Sequence, residues 1–201
     1  MDSSKITVVG IAGRKQSGKD TVGQRYIDQY GFVRIAFADT LKEACQIIFG
    51  FSHDQLYNND FKEVIDDYWG YSPRQVLQKV GTELFRDTIA QENVLPKIGS
   101  DIWVKSLHQK ISKLAAQGHR NFVITDIRWE NELNSLKDRG YSTYSIRIIC
   151  PSIDKLRIDG LVHDSEAHID DLKCDFDIIN QGTISELYET VDRIHASFQN
   201  S

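Results

Sequence analysis

The chain has 201 residues, of which 40% are hydrophobic, so it is long and apolar enough to form the core of one domain. This composition excludes a disordered or fibrous chain. The 24 basic and 29 acidic residues give a net charge of −5, which argues against duplex nucleic acid as a main partner. The first 25 residues nevertheless carry a net positive charge, so an anion site is expected near the amino end.

Neither a membrane nor an oxidising compartment is indicated. No window approaches about 18 consecutive apolar residues, and residues 1–4 lack the basic head and apolar run of a signal peptide. Cys45, Cys150 and Cys174 form an odd set without C-x-x-C spacing, so we interpret them as buried thiols. We therefore expect a soluble cytoplasmic protein with no membrane partner.

The amino-terminal part alternates strands with helices. Residues 6–11 are apolar on both faces, as in a central parallel strand covered by helices. A helix is predicted from Lys19 to about residue 30, a second strand over residues 32–37, and a second helix from Asp39. The predicted core positions of the two helices are Val22, Tyr26, Ile27, Leu41, Ala44, Cys45 and Ile48.

Helix signals are interrupted after the second helix and then resume. Residues 50–71 are aromatic and acidic without clear periodicity, and no firm structure is predicted there. Ser72 is an expected N-cap, with Gln75 completing a capping box. A further helix over residues 101–117 is predicted to bury Trp103, Leu107, Ile111 and Leu114.

The carboxyl-terminal half repeats the alternation. Strands are predicted at residues 122–126, 144–149 and 176–179, and the first of them ends at Asp126. A last helix should begin at Thr183, with Glu186 in a capping box, and its predicted core positions are Ile184, Leu187, Val191, Ile194 and Phe198. Strands alternating with helices predict an α/β domain with a parallel sheet.

Residues 13–19, called the phosphate loop below, carry the strongest signal in the chain. They read G-x-x-x-x-G-K and lie between a predicted strand and a predicted helix. Glycines at 13 and 18 leave space for an anion, backbone amides and the helix amino terminus attract it, and Lys19 reaches terminal phosphates. The loop predicts a nucleotide-phosphate site.

The residue after Lys19 departs from the usual pattern. Serine or threonine is expected there as a Mg²⁺ ligand, but the chain has Asp20 followed by Thr21. We expect Mg²⁺, Arg14 or Lys15 to offset the extra carboxylate. Asp20 and Asp126 are the candidate Mg²⁺ ligands, and Thr21 is the candidate hydroxyl for a phosphate oxygen.

Basic residues beyond the loop favour a kinase, because a phosphorylated acceptor brings negative charge that must be neutralised. Each alone is typical of a solvated surface residue. Together they lie where open α/β sheets bind ligands, near the carboxyl ends of strands. These candidates are Lys42, Arg74, Arg86, Arg128 and Arg157.

Several short motifs follow one another along the chain. They are G-K-D-T at residues 18–21, A-D-x-L-K at 38–42, R-x-x-L-Q-x-x-G-T at 74–82, Trp103 with Val104, D-x-R-x-x-N-E at 126–132, and residues 163–166. In this order they resemble the deoxynucleoside monophosphate kinases of bacteriophages and related viruses, within the P-loop kinases. The resemblance covers nearly the whole chain except residues 50–71.

The resemblance implies a three-layer P-loop kinase fold with a five-stranded parallel sheet. It implies one domain over residues 1–201, with an acceptor-binding insert at about 39–103 and a lid at about 152–170. It also implies ATP and Mg²⁺ as cofactors, a (deoxy)nucleoside monophosphate as acceptor, and the host cytoplasm as location if the source is viral. Whether the chain forms a homodimer is left open by the sequence.

The phosphate loop and the family resemblance together predict the residues of the site. The catalytic set is Lys19, Asp126 and Arg128. The ATP set is Gly13, Lys15, Gln16, Ser17, Gly18, Lys19, Asp20, Thr21, Arg157, Asn180 and Gly182. The acceptor set is Lys15, Asp39, Lys42, Arg74, Gly81, Thr82, Arg86, Trp103, Arg128 and Glu132.

Two alternative functions stay open. One is a P-loop kinase for another small phosphorylated acceptor, such as phosphomevalonate, and the other is a non-catalytic nucleotide-binding protein. Lys19 and Asp126 disfavour the second. His163, Asp164 and His168 could suggest a metal site, but without a third ligand at metal spacing we interpret them as polar lid residues.

Overall fold

A computed structural model describes residues 5–89, 98, 101–153 and 169–199 of the chain. Its strands form one parallel sheet in the order β2–β3–β1–β4–β5. The strands are β1 (Thr7–Gly13), β2 (Val33–Ile35), β3 (Asn121–Ile127), β4 (Ser142–Ile149) and β5 (Phe176–Ile179). The predicted five-stranded parallel sheet is confirmed, with β2 shorter than the predicted residues 32–37.

Helices connect the strands. They are α1 (Lys19–Tyr30), α2 (Asp39–Phe49), α3 (His53–Tyr57), α4 (Asn59–Lys62), α5 (Pro73–Gln78), α6 (Ile102–Ala116), α7 (Glu130–Asp138) and α8 (Ile184–Gln199). A π-helix (Lys79–Thr88) continues α5. None of the described helices combines the length and apolar composition that a membrane span requires.

Helices cover both faces of the sheet, which gives the predicted three layers. On one face a Cβ on Gly23 of α1 would lie 2.6 Å from Thr125 of β3. On the other face a Cβ on Gly10 of β1 would lie 3.7 Å from Leu136 of α7. The core cluster of the first face includes Val9, Ile11, Val22, Tyr26, Val123, Ile146, Ile178, Leu187, Val191 and Phe198.

Both predicted capping boxes are present. Ser72 Oγ accepts the amide of Gln75, and the Gln75 side chain accepts the amide of Ser72 over 2.9 Å. Thr183 and Glu186 make the same reciprocal pair at the start of α8. These local bonds satisfy amides that a helix amino terminus otherwise leaves unpaired.

The chain divides into two compact units, one made of the described residues up to Ala36 and from Ile111 onward, the other of residues 37–110. The predicted acceptor-binding insert, residues 39–103, lies inside the second unit. That unit has its own core of Leu41, Cys45, Phe51, Leu56, Val76 and Trp103.

Residues 50–71, for which the sequence predicted no firm structure, are regular over much of their length. A capping box of Ser52 and Gln55 begins α3, and Asn58 caps α4. The Asp66 carboxylate then accepts the amides of Tyr68 and Trp69. The segment therefore uses local polar bonds, which hydrophobic periodicity does not detect.

Some predicted core positions are wrong. Ile48 is 60% exposed, because the last turn of α2 contributes Phe49 to the core instead. Ile184 is 63% exposed at the start of α8, one turn before the buried Leu187. Of the three thiols, Cys45 is buried, whereas Cys150 and Cys174 are only partly buried.

Candidate active site

The phosphate loop connects β1 to α1 through left-handed backbone. Gln16 has a φ of 64° and Gly18 a φ of 101°. The amide of Ser17 donates a hydrogen bond to the carbonyl of Arg14 over 3.1 Å, which closes the turn. Because α1 begins directly after Gly18, its partial positive charge lies at the loop. This arrangement is suited to binding an anion.

Protein contacts also require glycine at both ends of the loop. A Cβ on Gly13 would lie 2.6 Å from Ser17 Oγ and 3.1 Å from the carbonyl oxygen of Ile148. A Cβ on Gly18 would overlap the side-chain amide of Asn180, and the positive φ of Gly18 disfavours other residues. The sequence analysis attributed these two glycines to the space that an anion needs. Close packing against β4 and Asn180 is a second reason for glycine at these positions.

Asn180 fastens the loop from the carboxyl end of β5. Its side-chain Nδ2 donates a hydrogen bond to the carbonyl of Ser17 over 2.8 Å. Its backbone amide donates to the carbonyl of Ile149 at the end of β4 over 2.7 Å. Asn180 therefore holds the backbone of Ser17, and both residues belong to the predicted ATP set.

A cleft of about 190 Å³ lies beside Asn180, where β5 leads into α8. Ile179 forms part of its lining and is 62% exposed. A Cβ on Gly182 would overlap the Glu186 carboxylate. Hydrogen bonds from the amide and hydroxyl of Thr183 hold the pKa of Glu186 below its ordinary value, so this carboxylate is committed to the helix cap.

Lys19 and Asp20 are close but differ in exposure. Lys19 Nζ lies 3.7 Å from Asp20 Oδ2, and their side chains are 16% and 83% exposed. An acidic residue in the first turn of α1 interacts favourably with the helix dipole. Among the described residues, the positive charge of Lys19 and the amino terminus of α1 therefore offset the negative charge of Asp20.

Arg14 has a partner that the sequence did not predict. It was expected, as an alternative to Lys15 or Mg²⁺, to offset Asp20. Its side chain is buried, and its guanidinium pairs with Asp170 in the segment before β5. Lys15 is exposed on the loop.

The carboxyl end of β3 carries Asp126 and leads into α7. Asp126 is half-buried and Arg128 is exposed. The buried Glu132 carboxylate accepts the backbone amides of Arg128 and Trp129, over 2.9 and 3.2 Å. Glu132, predicted to bind the acceptor, thus fixes the backbone that presents Arg128.

In the second unit, Asp39 and Lys42 begin α2 and have partners there. The buried Asp39 carboxylate lies 3.7 Å from Lys110 Nζ, and Lys110 also pairs with Glu43 over 2.8 Å. Lys42 Nζ lies over the ring of Tyr57, 4.1 Å from its centroid, a cation–π contact. Sequence reasoning did not identify Lys110 or Tyr57, since neither carries a motif.

Arg74 pairs with a carboxylate in the same unit. Its guanidinium contacts Glu63, which follows α4. Both side chains are partly exposed, so the pair is reachable by solvent. Arg86 and Thr82 lie on the π-helix that follows.

Gly81 and Trp103 belong to the packing of the second unit. Trp103 Nε1 donates a hydrogen bond to the carbonyl of Gly81 over 2.9 Å. A Cβ on Gly81 would lie 2.5 Å from Leu41. Trp103 is 9% exposed and its ring packs edge-on against Phe85, so it serves this core.

Comparison with known proteins adds a relative. No protein-family profile matches the chain. A protein of Acanthamoeba polyphaga mimivirus, named "Putative deoxynucleotide monophosphate kinase", is 35% identical in an alignment of 190 residues that covers 92% of this chain and 94% of the relative. The chain belongs to the viral deoxynucleoside monophosphate kinase family. It is a kinase of P-loop fold.

Solved structures similar to this kinase have lower identity. Shikimate kinase from Aquifex aeolicus is 17% identical, with 96% of each chain covered and a TM-score of 0.47. Dephospho-CoA kinase from Campylobacter jejuni is 15% identical, with 95% of this chain and 96% of that chain covered and a TM-score of 0.45.

Some predictions for this kinase lie outside the described residues. They are Arg157 of the ATP set and the lid residues His163, Asp164 and His168. Of the predicted lid, only residues 152–153 and 169–170 are described.

Proposed function

We propose that this kinase transfers the γ-phosphoryl group of ATP to the phosphate of a (deoxy)nucleoside monophosphate, forming ADP and a nucleoside diphosphate. The observation that carries the proposal is the phosphate loop, with Lys19 and a helix amino terminus directly after β1. The family relative named as a deoxynucleotide monophosphate kinase supports the choice of acceptor.

The ATP phosphates bind at the phosphate loop. Phosphoryl transfer depends on positioning and charge neutralisation, with little covalent chemistry for the protein to perform. Loop amides and Lys19 neutralise the β- and γ-phosphates, and Thr21 offers a hydroxyl from the third position of α1. The other loop contributors are Gly13, Lys15, Gln16, Ser17 and Gly18, with Arg157 as a further cation.

The base of ATP lies in the cleft beside Asn180. A nucleotide base needs a concave site with an apolar wall and a few polar groups. Ile179 provides exposed apolar surface, and Gly182 lines the same cleft. Asn180 connects this cleft to the phosphate loop through Ser17.

Mg²⁺ is the proposed metal. The exposed Asp20 and the half-buried Asp126 fit it, since Mg²⁺ prefers one or two carboxylates together with phosphate oxygens and water. When bound, the ion supplies positive charge to the phosphates of ATP.

The acceptor phosphate is held by basic residues of the second unit. Lys42, Arg74 and Arg86 are the proposed ligands, because arginine and lysine match phosphate in charge and hydrogen-bonding geometry. Arg74 has to exchange Glu63 for the phosphate, and Lys42 has to leave the Tyr57 ring. The remaining acceptor residues are Lys15, Asp39, Gly81, Thr82, Trp103 and Glu132, of which Trp103 acts by holding Gly81.

Arg128 follows the phosphoryl group during transfer. It is exposed at the start of the β3–α7 connection, and Glu132 fixes its backbone. No general base is required, because the acceptor phosphate is already an oxyanion near neutral pH. Asp126, at the end of β3, would orient the acceptor or help to hold Mg²⁺.

The acceptor class is tested by measuring ATP-dependent ADP formation with a panel of acceptors. The panel holds the four deoxynucleoside monophosphates, their ribonucleotide counterparts and phosphomevalonate. We expect turnover with at least one deoxynucleoside monophosphate and none with phosphomevalonate. Turnover with phosphomevalonate alone supports the first alternative, and ATP binding without turnover on any acceptor supports the non-catalytic one.

A further inference from the structure

Arg14, the second residue of the phosphate loop, carries a buried charge. Its side chain is 8% exposed, and its guanidinium pairs with Asp170, whose side chain is 51% exposed. A buried guanidinium requires a carboxylate or hydrogen-bonding partner, because desolvation of an unpaired charge is costly. The two residues are 156 positions apart, so this pair ties the loop to a distant segment.

The Asp170 segment is itself held firmly. The neighbouring side chains Ile169 and Leu172 are buried. Arg147 of β4 donates hydrogen bonds to the backbone carbonyl of Asp170 over 2.6 Å and to that of Leu172 over 3.3 Å. These contacts therefore hold the backbone that carries the Asp170 carboxylate.

The register of the sheet places Arg147, which holds the Asp170 segment, beside the strand that leads into the phosphate loop. Arg147 pairs with Ala12 of β1, the second residue before Arg14, and with Asp177 of β5. Its guanidinium binds Asp177 with two hydrogen bonds of 2.9 and 2.7 Å. Arg147 thus holds the Asp170 backbone and the Asp177 carboxylate, while the Asp170 carboxylate holds Arg14.

We propose that Asp170 is a positioning residue of the phosphate loop, acting through Arg14. By holding the Arg14 guanidinium, it fixes the backbone at the start of the loop, where amides must converge on a phosphate. The proposal rests on the proposed function for its effect on ATP, but the effect on the loop itself does not depend on any ligand. Small displacements of a positioning group have large effects on binding and rate.

The test compares Asp170→Asn with Asp175→Asn. Asp175 is a matched control from the same segment, because its partners among the described residues are Ser145 and Lys137, neither of which belongs to the loop. Amide hydrogen exchange of the peptide covering residues 13–19 is measured without ligand. We expect faster exchange in D170N and wild-type exchange in D175N, although both variants lower the melting temperature.

Affinity for a non-hydrolysable ATP analogue is measured on the same proteins. We expect D170N to raise the dissociation constant about tenfold or more, D170E to recover most of that loss, and D175N to leave it unchanged. Equal effects of D170N and D175N on exchange and affinity would mean that Asp170 has a structural role only, and would overturn the proposal.

A second variant covers the case in which D170N does not fold. Arg14→Met removes the buried charge. The Asp170 carboxylate stays solvated in this variant, because its side chain is 51% exposed. We expect the same faster exchange in the loop peptide, and wild-type exchange overturns the proposal. If wild-type protein binds no ATP analogue, the proposed function fails, while loop exchange still decides the role of Asp170.

Discussion

The side-chain amide of Asn180 donates a hydrogen bond to the carbonyl of Ser17 over 2.8 Å, joining the start of the β5–α8 connection to the phosphate loop 163 residues away. The same amide would be overlapped by any side chain at Gly18. The conformation of the loop therefore depends on the opposite end of the chain as well as on its own glycines.

Asn180→Ala is expected to raise the KM for ATP by roughly three- to tenfold, the value of one hydrogen bond that holds the loop. Steady-state kinetics with ATP varied at a saturating acceptor concentration measure it. Asn134→Ala, an exposed residue of α7, is the control and should match wild type. An unchanged KM for ATP in N180A would show that the loop keeps its shape without this bond.

Ser17 and Ser72 are both buried, but alanine is expected to affect them in opposite ways. Ser17 Oγ has no hydrogen-bond partner among the described residues, so Ser17→Ala should leave the free energy of unfolding unchanged or raise it by up to about 1 kcal/mol. Ser72 caps α5, so Ser72→Ala should lower it by about 1 kcal/mol. Urea unfolding of both variants measures the difference, and a destabilised S17A would reveal a partner for its hydroxyl.

Substitution of the proposed acceptor ligands should raise the KM for the acceptor and leave the KM for ATP unchanged. Changing Lys42, Arg74 or Arg86 to alanine is expected to raise the KM for the nucleoside monophosphate about tenfold or more, since a charged hydrogen bond contributes roughly 1.5–3 kcal/mol. Arg128→Ala should instead lower kcat, because it acts chiefly in the transition state. Kinetics with each substrate varied separately distinguish the two effects.

Glu63→Gln is the informative counterpart, because it removes the charge that competes for Arg74. It should lower the KM for the acceptor or leave it unchanged. An increase in the KM for ATP alone in the alanine variants would contradict the assignment of these residues to the acceptor.

Stability should fall as the pH decreases below about 6.5, because of His195. Burial lowers the pKa of this imidazole from its usual 6.5, and nearby Asp192 opposes the shift. Tyr26, Tyr30, Phe32 and Phe198 also contact the ring. In that range the unfolded chain binds a proton that the folded chain does not, so this contribution is present above pH 6.5 and is lost as the pH falls through the folded pKa.

His195→Phe removes this titration and keeps an aromatic ring in place. Urea unfolding at pH 7.5 and 5.5 should show a smaller loss of stability for H195F than for wild type. Both proteins keep Asp192, whose pKa is lowered mainly by its hydrogen bond with Arg25 and to a smaller extent by the charge of His195. Equal losses in the two proteins would assign the pH dependence to other groups.

The sequence predicted the parts of this kinase that are determined locally. The phosphate loop follows an apolar strand and precedes a helix, and the capping boxes at Ser72 and Thr183 lie within three residues of their partners. The capping box at Ser52 has the same pattern and was missed, because the aromatic segment around it lacks periodicity. Such local signals need no knowledge of the tertiary fold.

Contacts between distant residues could not be predicted in the same way. Arg14 has an unremarkable position in the loop motif, and only the sheet register brings it to Asp170. Arg74 was identified as a cation, but its contact with Glu63 depends on how α4 and α5 pack. A motif identifies the type of charge, whereas its partner is set by the fold.

The central claim is that the γ-phosphoryl group of ATP moves to the phosphate of a nucleoside monophosphate under the control of Lys19. The most direct measurement follows γ-labelled ATP incubated with an accepted deoxynucleoside monophosphate, for wild type, Lys19→Met and the exposed control Lys5→Met. The account predicts labelled deoxynucleoside diphosphate with wild type and K5M, and none with K19M that folds normally. Label released only as inorganic phosphate, or wild-type transfer by K19M, would contradict it.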